Sequence, residues 1–321
     1  MISDKPGLHP RNLHRQGYDF PALVAATPSL KRFIRLNPEG TETIDFGNPA
    51  AVKALNRALL RVHYDVAGWD IPAGCLCPSV PGRADYVHLL ADLLAADNGG
   101  SIPRGAAVRA LDIGVGANCV YSLIGQHVYG WSFVGVDIDA QALAAAQKTL
   151  DHNPRLAGSI VLRQQTAPDA IFKGLFGAGE FYDVTLCNPP FHDSLADAQA
   201  GTRRKLNALG KSGKGKSKPG EPPIQNFGGQ GGELYCPGGE SAFVRQMIEE
   251  SATIKTRCLW FTSLVSKESN LPAILRRLEQ AGVNASRTLE MAQGQKKSRI
   301  VAWTFLDGKA HALWRARHWA G

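Results

Sequence analysis

The chain has 321 residues, of which 44% are hydrophobic, and this length and composition predict a globular protein with a sizeable core. No apolar segment follows Met1 and no apolar run approaches about 18 residues, which argues against secretion and membrane spanning and predicts a cytoplasmic protein. The six cysteines are scattered without metal-ligand spacing, so we expect reduced structural thiols and no metal. The net charge of +8 is compatible with an anionic partner.

Residues 1–75 predict a small, mostly helical unit that precedes the main domain, which would span 76–321. Asn48-Pro49 offers a cap and a first-turn proline, and the apolar residues that follow have helical spacing, which predicts a helix over about 49–63. The unit also carries basic residues that would line an RNA path or form ordinary surface charge. These are Arg11, His14, Arg15, Lys31, Arg32 and Arg35.

A proline-rich connector, residues 78–83, is predicted to lead into a helix over Ala84–Ala96. Arg83 stands at that joint, where its guanidinium would meet a ligand carboxylate in fork geometry. Sequence position alone leaves an ordinary structural role equally open.

A glycine turn follows the first buried strand, at about 107–113. Gly114 and Gly116, just after Asp112, allow a tight turn in which backbone N–H groups approach a ligand without an intervening Cβ. The third glycine of a dinucleotide fingerprint is missing, because Cys119 occupies its position. The turn therefore indicates either a cofactor site or a simple tight connection between a strand and a helix.

The next strand, at 133–137, ends in a carboxylate. Asp137 suits the hydroxyls of a ribose, although a strand-end aspartate often caps the following helix, here predicted over Ala140–Leu150. Asp139 competes for the ribose role, but Asp137 is favoured because it directly ends the apolar run. A further strand at about 159–165 would bring Thr166 to the same edge of the sheet.

Asn188-Pro189-Pro190-Phe191 ends a further apolar strand. Neither proline has an N–H and both have a fixed φ, so the strand cannot extend its ladder and the backbone there is stiff. The Asn188 amide and the Pro189 carbonyl would face one amino group, and Phe191 would offer a flat face for a base. The structural alternative is a strand that ends in a Pro-Pro turn with a core phenylalanine.

A strongly basic segment, from about 199 to 232, follows this motif and is rich in Gly, Ser and Lys. Its composition does not bury a core, so we expect a flexible loop, either solubilising or binding phosphates when nucleic acid is present. Without its seven basic residues the net charge would be only +1. They are Arg203, Arg204, Lys205, Lys211, Lys214, Lys216 and Lys218.

The rest of the chain alternates helices and strands. Helices are predicted near 241–253 and 268–281, and strands near 258–265, 284–291 and 299–306. This alternation predicts an α/β, Rossmann-like, doubly wound sheet of seven strands that ends in an antiparallel hairpin. Ligands of such sheets bind beyond the carboxyl ends of the strands, where the polar residues singled out above all lie.

The order of strand, glycine turn, acidic strand end and Asn-Pro-Pro-Phe resembles the class I S-adenosylmethionine-dependent amino-methyltransferases. Nearly the whole chain resembles one family among them, the bacterial large-subunit ribosomal RNA adenine-N6 methyltransferases, relatives of a eukaryotic U6 snRNA adenine methyltransferase. The segments that carry this resemblance are His9-Pro10-Arg11-Asn12, Pro81-Gly82-Arg83-Ala84-Asp85-Tyr86, Asp112-Ile113-Gly114-Val115-Gly116-Ala117, Asn188-Pro189-Pro190-Phe191, Asn226-Phe227-Gly228-Gly229, Gly238-Gly239-Glu240 and Gly294-Gln295-Lys296-Lys297-Ser298-Arg299.

The resemblance implies methyl transfer from S-adenosylmethionine (SAM) to the exocyclic amino group of one adenosine in ribosomal RNA or in a ribosome assembly intermediate. It implies that SAM is held by Arg83, Asp112, Gly114, Gly116, Asp137, Thr166 and Asn188. The adenine would be held by Asn188, Pro189, Pro190 and Phe191, and the RNA by Arg11 and the seven basic loop residues. A monomer without metal is expected.

Three other functions remain open at this point. Guanine-N2 RNA methyltransferases also carry Asn-Pro-Pro-Phe followed by His, as at His192, and a protein glutamine methyltransferase is another candidate. A non-catalytic RNA-binding module would explain the charge but not the cofactor residues. The basic loop and the first 75 residues favour RNA over a peptide.

Overall fold

Seven strands form one mixed sheet in the computed structural model, which describes residues 7–194, 235–293 and 296–319. The strands, with those of a separate hairpin first, are β1 (Ile34–Leu36), β2 (Glu42–Ile44), β3 (Arg109–Ile113), β4 (Ser132–Asp137), β5 (Ile160–Gln164), β6 (Tyr182–Cys187), β7 (Cys258–Val265), β8 (Ala285–Gln293) and β9 (Lys296–Thr304). In the large sheet the order is β5-β4-β3-β6-β7-β9-β8, and only β8 and β9 form antiparallel pairs. The predicted α/β fold with its antiparallel hairpin is confirmed.

Helices cover both faces of this sheet. They are α1 (Phe20–Ala26), α2 (Pro49–Tyr64), α3 (Val80–Asp97), α4 (Val120–Tyr129), α5 (Ala140–Asp151), α6 (Gly239–Ser251), α7 (Leu271–Gln280) and α8 (Gly308–His318). Successive residues of β9 alternate between two hydrophobic clusters: Ile300 belongs to the cluster with α3, α4 and α5, and Val301 to the one with α6 and α7. Among the described helices, none combines the length and apolar character needed to cross a bilayer.

The first 75 residues differ in part from the predicted helical unit. Helix α2 begins at Pro49 with Asn48 as its cap, as predicted. Strands β1 and β2 form a two-stranded antiparallel hairpin that the sequence analysis missed, because each has three residues and five of the six are not buried. Residues of α1 and α2 belong to the same hydrophobic cluster as α3 and α4. The division at residue 75 stays a prediction.

The predicted connector at 78–83 is wrong in its second half. Helix α3 begins at Val80, so Pro81 and Arg83 lie in its first turn. Pro81 is tolerated there because a first-turn residue needs no N–H bond to the preceding turn. Asn56 of α2 donates a hydrogen bond to the Pro78 carbonyl at 2.6 Å, which fixes the entry to this helix.

Helix α8 is a C-terminal element that the sequence analysis did not predict. Its one buried residue is Trp314, so its apolar pattern is weak. The indole nitrogens of Trp314 and Trp319 both donate to Asp183 Oδ1, at 2.7 and 2.8 Å. Burial raises the pKa of Asp183 to about 6, and these two donors with the Arg109 N–H offset part of that shift. The helix therefore attaches to the amino end of β6.

Glu240 explains structurally why Gly238-Gly239-Glu240 stands at the start of α6. Its carboxylate is 1% exposed and accepts hydrogen bonds from the Ser266 N–H and hydroxyl, at 2.7 and 2.5 Å, and from the Asn270 amide at 2.8 Å. Gly239 has a φ of +58°, and a Cβ there would lie 2.0 Å from Asp193 Oδ1. The motif thus joins α6, the end of β7 and the segment after Phe191.

Candidate active site

The polar residues predicted at one edge of the sheet do lie at one edge. Strands β3, β4, β5 and β6 are parallel, and Ile113 is paired with both Val136 and Cys187. The glycine turn, Asp137 and Asn188 therefore follow neighbouring strands at the same level. Thr166 follows β5 beside them and is exposed. This shared edge is the candidate active site.

The glycine turn after β3 curls back onto β4. The Gly114 N–H donates to the Val136 carbonyl at 2.8 Å, with φ of +72° at Gly114 and +62° at Gly116. A Cβ at Gly114 would meet no atom within 4 Å, so the turn faces open space. Cys119, which replaces the third glycine, adopts the left-handed conformation with φ of +51° and begins α4. The turn thus keeps a left-handed residue without its glycine, at a cost of about 1–2 kcal/mol.

Asp137 and Asp139 have different partners. Asp139 caps α5, because its carboxylate accepts the Gln141 N–H at 2.8 Å. The Asp137 carboxylate instead accepts the N–H groups of Gly116 and Asp139, at 2.9 and 3.0 Å. Burial raises the pKa of Asp137, and these two donors oppose the shift. The helix-capping alternative therefore applies to Asp139, and Asp137 joins the glycine turn to the end of β4.

Asp112 carries an unsatisfied polar atom beneath the glycine turn. Its side chain is 1% exposed; Oδ2 accepts a hydrogen bond from the Ser122 hydroxyl at 3.3 Å, while Oδ1 is buried without a hydrogen-bond partner. Burial raises the pKa of Asp112 from 3.8 to about 7, opposed by Ser122 and the Arg83 charge. A buried oxygen of this kind is rare in folded proteins and suits a cationic or hydrogen-bond-donating ligand.

Replacing Asp112 by Asn should change how stability depends on pH. Because the pKa is higher in the folded than in the unfolded state, the folded protein binds more protons between pH 3.8 and about 7, and its stability falls as the pH rises through that window. Asp112→Asn should therefore be more stable than wild type at pH 8, by up to about 4 kcal/mol, and similar at pH 4. Urea unfolding at both pH values measures this; an equal difference at both would contradict the assignment.

Arg83 lies between the cofactor edge and the Asn-Pro-Pro-Phe motif. Its Nη1 donates a hydrogen bond to Asn188 Oδ1 at 3.3 Å, and its guanidinium carbon lies 5.2 Å from the centre of the Tyr121 ring. Both Arg83 and Asn188 are half-buried. The two residues, 105 positions apart in the sequence, therefore form one wall of the site.

The Asn-Pro-Pro-Phe motif has a buried middle and accessible ends. Pro189 and Pro190 are buried, while Asn188 and Phe191 are half-buried, and Phe191 packs against the larger hydrophobic cluster. His192 forms a β-bridge with Tyr235, and the Cys236 N–H donates to the His192 carbonyl at 3.1 Å. The chain thus leaves and re-enters the described structure beside Phe191. The basic loop residues, from Arg203 to Lys218, lie outside the described residues.

Arg11 is committed to contacts within the protein. Its guanidinium donates to the Tyr129 hydroxyl at 3.0 Å, to the His88 carbonyl at 3.0 Å and to Asp92 at 2.7 Å. These contacts attach the first residues to α3 and α4. The prediction that Arg11 binds RNA stays a prediction, and its geometry favours a structural role.

Several supporting residues escaped the sequence analysis. Asn12 donates to the Pro81 carbonyl and to Asp85, at 2.9 and 2.5 Å, in the turns of α3 that flank Arg83. The indole nitrogen of Trp69 donates to the Asn118 carbonyl at 2.9 Å, just after the glycine turn. The first 75 residues therefore support both sides of the cofactor edge. The motif His9-Pro10-Arg11-Asn12 was the available signal, and the indole gave none.

Comparison with known proteins identifies the class to which this site belongs. The family model described as RNA methyltransferase matches residues 2–307. The chain belongs to this family. Among relatives, proteins named ribosomal RNA large subunit methyltransferase F are 57% identical in Pseudomonas aeruginosa and 54% identical in Serratia proteamaculans, over 97% and 98% of this chain and 92% of each relative.

Solved structures agree with the family. The hMettl16 catalytic domain in complex with MAT2A 3′UTR hairpin 1 has a TM-score of 0.76 at 28% identity, covering 94% of this chain and 96% of that one. The N-terminal domain of human METTL16 in complex with SAH has a TM-score of 0.72 at 26% identity, covering 94% and 99%. The family protein described here thus has the class I methyltransferase fold. Among its described residues, no cluster of three His, Cys, Asp or Glu is arranged to hold a metal.

Proposed function

We propose that this protein transfers the methyl group of SAM to N6 of one adenosine in large-subunit ribosomal RNA. The observation that carries the proposal is the Arg83–Asn188 contact, which places the predicted cofactor residue and the predicted base acceptor in one wall. The names of the relatives support ribosomal RNA of the large subunit as the substrate. The base and its N6 atom rest on the whole-chain resemblance.

The residues at the edge fit SAM. Arg83 would hold its carboxylate in fork geometry, and Asp112, with its unpartnered Oδ1, would face its ammonium side. The open glycine turn at Gly114 and Gly116 would let the backbone approach the ligand, and Asp137 would accept hydrogen bonds from the ribose. Thr166 would border the same pocket. The SAH-bound METTL16 domain supports this cofactor class.

The acceptor base would lie against Asn188, Pro189 and Phe191. Pro190, buried behind them, lacks an N–H and keeps the backbone stiff. Asn188 Oδ1 and the Pro189 carbonyl would each accept one amino hydrogen, and the half-buried Phe191 ring would stack on the base. Stacking contributes about 1–3 kcal/mol per base, which offsets the cost of taking the base out of its stack.

The chemistry requires orientation more than a strong base. SAM, when bound, supplies an electrophilic methyl group. The adenine amino nitrogen is a poor nucleophile because its lone pair is delocalised into the ring. Two acceptors on its N–H groups would favour a pyramidal nitrogen and direct the lone pair towards the methyl group. After transfer the methylated nitrogen is strongly acidic, so its proton leaves through one of these acceptors or water.

The RNA would be held by the basic loop that begins and ends beside Phe191. If four of its seven basic residues contact phosphates, the logarithm of the association constant should fall with the logarithm of salt concentration with a slope of about −3. Fluorescence anisotropy of a labelled rRNA fragment between low and high salt measures this slope. An affinity independent of salt would contradict a phosphate-binding loop.

The proposal includes two coarser expectations about the whole protein. We place the enzyme in the cytoplasm, where rRNA and assembly intermediates occur, and we treat residues 1–75 as an RNA-recognition subdomain. The hMettl16 catalytic domain, which covers most of the same fold, is described in complex with an RNA hairpin. Expressing residues 76–321 alone and measuring RNA and SAH affinity separately would test the subdomain boundary.

Methyl transfer in vitro tests the proposed function. Purified protein, SAM with a labelled methyl group and protein-free large-subunit rRNA are incubated, and the RNA is digested to nucleosides. We expect label in N6-methyladenosine. Label in N2-methylguanosine would establish the competing guanine activity, and SAH binding without transfer to rRNA or to assembly intermediates would favour a non-catalytic RNA-binding module.

A further inference from the structure

Strands β6 and β7 separate just before the Asn-Pro-Pro-Phe motif. Their described ladder pairs are Tyr182 with Cys258 and Val184 with Trp260, all in the first half of β6. On its other side β6 remains paired with β3 as far as Cys187. The last residues of β6 are therefore held by a regular ladder on one side only, and the β7 side needs other partners.

Hydroxyl groups fill the gap between these strands. The Thr262 N–H donates to Thr185 Oγ1 at 2.9 Å, and the Thr262 hydroxyl donates to the Thr185 carbonyl at 2.5 Å. Tyr86 from α3 adds a third hydroxyl, 2.9 Å from Thr262 Oγ1, and this hydroxyl accepts the Cys187 N–H at 3.3 Å. All three side chains are buried, and Tyr86 is 0% exposed.

The proton of each hydroxyl can be assigned from this geometry. Because the Thr262 proton goes to the Thr185 carbonyl, Thr262 Oγ1 accepts from Tyr86, and the Tyr86 oxygen accepts from Cys187. The result is a chain of hydrogen bonds that starts at the Cys187 N–H and returns to β6 at the Thr185 carbonyl. Chains of this kind are cooperative in a buried environment.

This chain acts on the peptide unit next to Asn188. Pro189 and Pro190 have no N–H groups, so the Cys187 N–H is one of the last donors of β6. Arg83 lies three residues before Tyr86, on the same side of α3, and contacts Asn188 Oδ1. One helix thus holds both the backbone before Asn188 and its side chain.

We propose that Tyr86 is a positioning residue for methyl transfer. Its hydroxyl fixes the end of β6 so that Asn188 Oδ1 and the Pro189 carbonyl converge on one amino group. Tyr86 contacts Cys187 and Thr262 rather than the reacting atoms, and it acts through Asn188. The inference rests on the function proposed above for Asn188.

Tyr86→Phe removes only the hydroxyl and tests this role. With saturating SAM and rRNA, the single-turnover rate should fall by about 10- to 100-fold, since a misplacement of about 1 Å has an effect of this size. The affinities for SAH and for RNA should change by less than about threefold, because no group that binds them is removed. Affinities that fall as much as the rate would show a structural role and overturn the proposal.

Tyr182→Phe is the matched control, because Tyr182 is also fully buried and begins the same strand at the opposite edge. It should retain the wild-type single-turnover rate within about twofold. An equal loss of rate in both variants would mean that any buried tyrosine of this sheet matters, which overturns the proposal. If wild-type protein itself fails to methylate rRNA, the proposed function fails rather than the positioning role.

Thr262 variants keep the test decisive if Tyr86→Phe does not fold. Thr262→Val interrupts the same chain and should slow turnover like Tyr86→Phe, while Thr262→Ser retains the hydroxyl and should restore most of the rate. The Tyr86→Phe, Thr262→Val double variant should be little slower than either single variant, because both changes break one network. Wild-type turnover in Thr262→Val, or equal defects in Val and Ser variants, would overturn the proposal.

Discussion

Asn188→Ala should abolish most methyl transfer while SAM binding persists. The substitution removes an acceptor for the adenine amino group, and losing one preorganised polar contact to a reacting group lowers kcat by roughly 10²–10³-fold. Asn188 Oδ1 also receives the Arg83 hydrogen bond at 3.3 Å, so the guanidinium loses that partner but keeps its place against Tyr121. Single-turnover methylation measures the rate, and calorimetric titration with SAH measures cofactor affinity.

Asn98→Ala provides the matched control for this variant. Asn98 follows α3 at the opposite end of that helix from Arg83, and its amide hydrogen-bonds locally to the Ser101 carbonyl at 2.9 Å. This control should methylate at the wild-type rate. Wild-type turnover in Asn188→Ala would refute the assigned acceptor role.

Phe191→Ala should impair RNA turnover far more than SAH binding. A lost base stack of about 1–3 kcal/mol corresponds to roughly a 5- to 150-fold decrease in kcat/KM for RNA. The ring is half-buried and packs against the larger hydrophobic cluster, so a core role is the competing explanation. Steady-state kinetics with varied RNA and SAH titration separate these two roles.

Two further variants make the Phe191 result interpretable. Phe191→Tyr keeps a flat aromatic face and should retain most of the activity. Phe305→Ala truncates another half-buried ring, beyond β9 at the opposite edge, and should leave turnover intact. If Phe191→Ala lowered SAH affinity and RNA turnover equally, Phe191 would be a core residue and not a stacking platform.

The sequence predicted the large sheet well because its strands are buried on both faces. β7 was predicted over 258–265, the range observed, since all eight of its residues are buried. The hairpin of β1 and β2 and helix α8 were missed because few of their residues are buried, so tertiary contacts rather than periodicity define them. The start of α3 was missed because Pro-Gly is typical of turns but also fits a first helical turn.

Local motifs predicted which residues lie at the candidate site but not how they are held. Parallel strands bring their carboxyl ends together, so Asp137 and Asn188 could be assigned to one edge from sequence order alone. The Tyr86–Thr262 hydrogen bond joins residues 176 positions apart, and no local pattern encodes it. Likewise, only the folded chain distinguishes Asp139 as a helix cap from Asp137, which contacts the glycine turn.

Mass spectrometry of nucleosides from large-subunit rRNA tests the central claim most directly. Cells lacking this protein are complemented with wild type, Asn188→Ala or Asn98→Ala, and their rRNA is digested to fragments and nucleosides. The account predicts that one N6-methyladenosine disappears on deletion and returns with wild type and Asn98→Ala only. An unchanged N6-methyladenosine content on deletion, or its return with Asn188→Ala, would contradict the account.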